Sequence, residues 1–331
     1  MKTILSIPLF TVGCMLARDA VPTPETSTET DSASEMIDVV NGIQIDNAWI
    51  RVHIRCPIEA QADCEMAANA AIAEVERLEN ISSIWSTEGD VARINSAAGG
   101  DPVEISEDVH RMLTSAQIVS AASAGAFDVT IGAISGLWGI DNADLPDAVV
   151  LADRLQLVDW SQLHLEPGTA QLGTAGMSIV LDGLVKGDAA DAALTSIPEE
   201  WDAMVDVSGD LAVRGEWQVD IAVEDSNSNE QVTLWVQDTV LVSSGVGGHG
   251  DLGGAIDPRT GSPSPGGSWA VASHPQGAIA DALATTVLVT GPASPVVDQL
   301  GAWALIMTED GWVEAGGRSA HVSTWSVQSI Q

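Results

Sequence analysis

The stretch QVTLWVQDTVLVS, residues 231–243, is rich in β-branched and large apolar side chains and reads as one or two β-strands. Upstream, residues 202–223 read as two more strands joined near Gly209 and Gly215, both natural turn positions. Before them, residues 179–197 start with a short extended pair, turn through Asp182-Gly183, and continue as a helix from about Val185. Downstream come a strand at 269–273, a helix at 278–289, and strands at 302–307 and 312–315. Towards the N-terminus, residues 43–55 alternate as a strand, and residues 59–80 are Ala-rich with Met66, Ala70, Ala73 and Leu78 at helical spacing. Ser106 caps a second helix, with Glu107 and Asp108 in its first turn and Gly125 ending it. Strands that follow one another through short turns, with helices between groups, predict an α+β fold: antiparallel sheets flanked by helices.

The chain has 331 residues and is 45% hydrophobic, enough for one large domain or two intimate ones with a sizeable core. Its net charge is −35, from 12 Lys+Arg against 47 Asp+Glu. Such a surface repels phosphates, so nucleic acid and anionic membranes are excluded as partners. It suits a salty medium, where screening relieves self-repulsion, or is simply the surface of an acidic secreted protein.

Lys2, an apolar run over residues 4–12, and Gly13-Cys14 form a lipoprotein-type signal over residues 1–13. Cleavage there would leave Cys14 as a lipid anchor, and the protein exported on the outer, periplasmic side of a bacterial membrane. Residues 14–40, with DAVPTPETSTETDSASE at 19–35, read as a flexible acidic tether, and 41–331 as the folded region. Cys56 and Cys64 remain, as a disulfide or as two buried thiols.

Chemistry-bearing residues gather in the C-terminal two-thirds. Asp281 and Thr285 lie four apart on a predicted helix, so their oxygens share one face. Such a pair suits Mg²⁺, or is an ordinary helix-start Asp with a Thr bonded to the turn before. Lys186, one of two lysines, stands just inside a helix start, where a cation and free N–H groups can hold a pyrophosphate. The alternative is a surface lysine. The glycine-rich segment 245–254 brings backbone close to a phosphate or is simply a flexible loop. Asp257-Pro258-Arg259-Thr260-Gly261 is a turn by its residue types. His53, His110, His164, His274 and His321 stand apart from these segments and read as structural or solvated.

Taken in order, several segments resemble the FAD:protein FMN transferase (ApbE) family. They are Gly125-Ala126-Phe127-Asp128-Val129-Thr130 with Leu137-Trp138-Gly139, Asp206-Val207-Ser208-Gly209-Asp210, Ser243-Ser244-Gly245 with the Asp257–Gly261 turn, and Ala280-Asp281-Ala282-Leu283-Ala284-Thr285. Weaker matches are Ser83 to Asn95 and Lys186-Gly187 with Asp191. The resemblance spans about residues 45–315. It implies a Mg²⁺-dependent enzyme that moves FMN from FAD to a Thr or Ser hydroxyl of an acceptor protein, releasing AMP. The acceptor it implies is a subunit of a membrane redox complex. It places Trp85, Ala126, Phe127, Asp128, Asp182, Lys186, Asp210 and Ala255 at the FAD, and the Gly183 carbonyl with Asp281 and Thr285 at Mg²⁺. The chain departs from the family at Ser208, for a Gly; at Val180, for an Asp, with Asp182 the nearby replacement; and at Gly254, for a His. His249 and Asp257 are the candidates to take over from that His. Without it, an FAD pyrophosphatase or a catalytically silent FAD-binding lipoprotein are the other expectations.

Overall fold

The computed structural model describes residues 15–18, 35–45, 48–86, 88–137, 146–225, 228–245, 255–264, 267–317 and 321–329. Cys14, Trp138, His249 and Gly254 lie outside the described residues. In chain order the first half holds β1 (Met15–Arg18), β2 (Met36–Ile45), β3 (Ala48–Pro57), α1 (Gln61–Ser82), α2 (Asp90–Ser96), β4 (Val103–Glu104), α3 (Glu107–Ala122), α4 (Gly132–Ser135), α5 (Ala148–Leu155), β5 (Leu163–Glu166) and β6 (Thr169–Leu172). The second half holds α6 (Val185–Thr195), β7 (Asp202–Val207), β8 (Asp210–Asp225), β9 (Ser228–Gly245), β10 (Ile256–Asp257), β11 (Ser262–Pro263), β12 (Trp269–His274), α7 (Gly277–Thr290), α8 (Val296–Gln299), β13 (Trp303–Thr308), β14 (Gly311–Ala315) and β15 (Val322–Ser329).

One large sheet runs β14-β13-β12-β9-β8-β7-β3-β2, with β1 added to β8 and β15 to β9. Its described pairings are all antiparallel. Helices α1, α3, α6 and α7 cover one face. They bury Leu78, Met112, Ala190 and Leu283 against Ile50, Val52, Val205, Val242 and Ala272 of the sheet. The opposite face forms a second core from strand residues, including Trp217, Leu234, Val271 and Trp303. The α+β expectation holds: period-2 strands present one side to helices and the other to their own long hairpin.

Several local expectations shift. The single strand expected at 43–55 is an antiparallel hairpin, with Ile45 paired to Ala48. Gly215, expected at a joint between strands, instead sits at φ 83° inside β8, where the register to β9 shifts. The buried side of α1 is Cys64, Ala68, Ala71, Ile72, Val75 and Leu78, while Met66, Ala70 and Ala73 face solvent. Residues 15–18 and 36–40 are strand, where composition reads a tether. Cys56 of β3 and Cys64 of α1 form a disulfide.

Candidate active site

Lys186 is the second residue of α6, and three carboxylates converge on it. Its Nζ lies 2.9 Å from Asp210 Oδ2. Burial opposes its charge, but Asp210, Asp281 and Asp182 outweigh that and hold the ammonium more firmly protonated than usual. Asp210 is fully buried at the start of β8. Burial pushes its carboxyl up, against Lys186 and the Ser243 amide. The buried Ser243 hydroxyl beside it has no hydrogen-bond partner within the protein. Asp281, one turn into α7, is pushed up to about 7 by burial and then by the Asp210 charge. Its Oδ2 accepts the Gly187 N–H at 3.1 Å. Asp182 stays open to solvent, yet enough protein surrounds it that desolvation raises it, against Lys186.

Thr285 follows Asp281 by one helical turn, on the same face. Gly183 closes the group: a Cβ built there would lie 3.3 Å from Phe127 Cε2 and 3.8 Å from Thr285 Oγ1. Gly183, Lys186, Asp210, Asp281 and Thr285 therefore share one place, at the N-terminal turn of α6. No group of three His, Cys, Asp or Glu with metal geometry exists among the described residues. A carboxylate, a hydroxyl and a backbone carbonyl nonetheless fit a hard cation that keeps several waters and binds phosphate as well. Two buried carboxylates beside a single ammonium, with the Asp210 charge raising Asp281, fit a further positive partner there.

The loop after α3 is built for shape. Asp128 Oδ1 accepts the Thr130 amide at 2.8 Å and its hydroxyl at 2.6 Å, and Oδ2 accepts the Trp160 amide at 2.9 Å. Its carboxylate is spent on the fold, and Ala126 is buried beside it. Phe127 alone of this trio reaches Gly183. The Val180 amide donates to the Val129 carbonyl and ties this loop to the segment that ends at Asp182.

Asp257 is engaged within its own turn. Its Oδ1 accepts the Arg259 amide and Nε at 2.9 and 2.8 Å, and its Oδ2 accepts Nη2 at 2.7 Å. Burial raises this carboxyl, but the Arg259 bonds outweigh it and hold it below the usual range. A bidentate, depressed carboxylate is a poor proton acceptor. Its carbonyl also accepts the Gly261 amide, with Gly261 at φ 67° as the turn demands. Arg259 Cγ passes 3.9 Å from where a Gly125 Cβ would sit, so this turn abuts the 125–130 loop. Ala255, half-buried, accepts the Ser264 amide.

Trp85 is 74% exposed in the turn between α1 and α2, so it does not pack in the core. Its neighbour Ile84 lines a recess of about 390 Å³ with Ala92, Asn95 and Ser96. The Asn95 amide clasps Ile179 on both its N–H and its carbonyl, and so joins this recess to the approach to Asp182.

Gly187 and Asp206 stand in the sequence only inside the segments that resemble the family, with no role of their own. The first was visible only as the residue after Lys186. Asp206 is buried and pushed up to about 6, first by burial, in a state no local pattern encodes.

The ApbE family model matches residues 49–301, and the chain belongs to the ApbE family. A FAD:protein FMN transferase of Treponema pallidum is 28% identical over 277 residues, 73% of this chain and 75% of that one. One from Klebsiella pneumoniae is 25% identical over 319 residues, 87% of this chain and 89% of its own. Among solved structures, the flavin transferase ApbE from Vibrio cholerae superposes with a TM-score of 0.73 at 20% identity, covering 87% of this chain and 98% of its own. The ApbE protein of Thermotoga maritima gives 0.73 at 20%, covering 85% and 97%. At this identity the structural likeness shows the fold.

Proposed function

We propose that the chain transfers the FMN half of FAD to a Ser or Thr hydroxyl of an acceptor protein. The observation that carries this reading is Asp210, fully buried and 2.9 Å from the Lys186 ammonium, next to Asp281 and Thr285. The names of the relatives support it.

Lys186 would hold the FAD pyrophosphate. Asp281, Thr285 and the Gly183 carbonyl would hold Mg²⁺, which when bound would neutralise pyrophosphate charge. Phe127 and Trp85 would border the flavin, with Asp182 and Ala255 near the cofactor. The acceptor oxygen forms a bond to the FMN phosphorus, the phosphoanhydride bond to AMP breaks, and AMP leaves. The hydroxyl proton must pass to a base. With Asp257 tied to Arg259, His249 is the residue proposed for that step. The acceptor would be a subunit of a membrane redox complex, met on the outer face by an enzyme anchored at Cys14. The Cys56–Cys64 disulfide agrees with an oxidising compartment.

Gly254, together with the engaged Asp257, favours a second reading in which FAD is held without transfer. One experiment separates the two. Purified protein is incubated with FAD, Mg²⁺ and a protein carrying the family's flavinylation motif, and the products are read by mass. Covalent FMN on the acceptor is expected, with Asp281→Ala abolishing it. Intact bound FAD would support the second reading, and free FMN with AMP a pyrophosphatase. Absence of any FAD retention would overturn both flavin readings.

A further inference from the structure

The two helices that carry the site repeat one short pattern. α6 contains Gly187-Asp188-Ala189-Ala190-Asp191, and α7 contains Gly277-Ala278-Ile279-Ala280-Asp281. Each places a glycine in its first turn and an aspartate one turn later on the same face.

In the fold the two patterns are crossed. The Gly187 N–H donates to Asp281 Oδ2 at 3.1 Å, and the Gly277 N–H donates to Asp191 Oδ2 at 3.0 Å. The glycines meet between these bonds. A Cβ on Gly187 would lie 2.5 Å from the Gly277 carbonyl oxygen and 2.9 Å from Asp281 Cβ. A Cβ on Gly277 would overlap the Gly187 carbonyl and lie 2.9 Å from Asp191 Cβ. The contact thus has an approximate local twofold.

First-turn amides have no partner within their own helix. Neither α6 nor α7 receives a side-chain cap from its own N-cap residue. Each takes its cap from the other helix. The two halves then differ in what else they touch. Asp281 faces Lys186 and Asp210, whereas Asp191 feels Arg111 of α3.

We infer that Asp191 is a positioning residue for the metal-binding aspartate, Asp281. This rests on the Mg²⁺ reading given above. Two crossed bonds fix both the slide and the roll of α7 over α6. With Asp191 gone, one bond remains, and α7 turns about it. The Asp281 oxygen not committed to Gly187 then loses its aim, although the fold keeps its core.

The test measures metal uptake rather than turnover, with Mn²⁺ as the probe and its EPR signal as the readout, on the full chain. Asp281→Ala serves as the variant without the site. Asp191→Ala should weaken Mn²⁺ binding about tenfold, as loss of an outer-shell partner does. Asp191→Asn keeps an acceptor for the Gly277 amide and should weaken it less, by about threefold. A folded Asp191→Ala chain with wild-type Mn²⁺ affinity would overturn the inference, whatever its melting temperature, because Asp191 would then serve the fold alone. If Asp191→Ala does not fold, the Asn variant decides: weakened binding supports the inference and unchanged binding overturns it. A wild-type chain that takes up no Mn²⁺ would overturn the metal reading itself, and this inference with it.

Discussion

Asp206 stands at the entrance to the turn that delivers Asp210 to Lys186. Its Oδ1 accepts the Gly209 amide at 2.9 Å, and Arg51 on the neighbouring strand lies 3.9 Å away. In that turn Ser208, where the family has Gly, is held at φ 54°. Its hydroxyl accepts the Trp49 amide at 3.0 Å and its own amide donates to the Trp49 carbonyl, which offsets the left-handed backbone. Burial raises the Asp206 carboxyl to about 6, with Gly209 and Arg51 opposing and the Asp210 charge adding to the rise. Its ordinary value is 3.8, so between about pH 4 and 6 the folded state holds the extra proton. Stability from this group is therefore full below pH 4 and falls as pH rises through 6, by up to about 3 kcal/mol. Asp206→Asn removes that slope. Chemical denaturation at pH 4 and pH 7.5 should show the variant gaining on wild type at the higher pH; a pH-independent difference would refute it. Lys186, Asp281 and Thr285 were legible in the sequence, because a rare cation and a four-residue spacing are local signals. Asp206 and the Asp257–Arg259 pair were not: burial and bidentate geometry depend on which elements meet.

At the scale of elements, the close crossing of α6 and α7 carries the site. Helices α1, α3, α6 and α7 and strands β3, β7, β8, β9, β12, β13 and β14 could be read from period and capping, as with Ser106 at the start of α3, whose hydroxyl accepts the Val109 amide. The faces could not always be read. In α1 alanine fills both the buried and the exposed sides, so the apolar count does not mark the inward one. The crossing was hidden for a related reason, since glycines and alanines give no hydrophobic stripe. Backbone contact at Gly187 makes a steep demand nonetheless. A Cβ there would lie 2.5 Å from a carbonyl oxygen that belongs to a helix, not to a movable side chain. Gly187→Ala should cost about 3 kcal/mol in urea unfolding, more than an exposed Gly→Ala change, which is neutral or stabilising in a helix. A variant as stable as wild type would mean that α6 and α7 separate at little cost.

For the whole molecule, the net charge of −35 governs how stability responds to salt. Cations are so few that carboxylates share them. Arg77 bonds Glu74 and Asp108, and Arg111 bonds Asp108 and Asp188. Many other described acidic groups, Glu59, Asp63, Glu65, Asp101, Glu104 and Glu107 among them, face solvent and repel one another. The screening length is about 10 Å at 0.1 M salt and about 3 Å at 1 M, so added KCl should shrink that repulsion. The same salt weakens the exposed arginine pairs, but each is worth at most about 1 kcal/mol. With 47 acidic side chains against 12 basic ones, repulsion outweighs the loss of those pairs. Calorimetry across a KCl series should show the melting temperature rising by roughly 5 °C between 0.1 and 1 M, which corresponds to about 2 kcal/mol. The rise should then level off, because a screening length near 3 Å leaves little repulsion to remove. Sucrose, which acts by exclusion from the surface and leaves charge unscreened, should give no such plateau. A melting temperature that is flat or falling in KCl would show that the surface carboxylates are already neutralised within the fold.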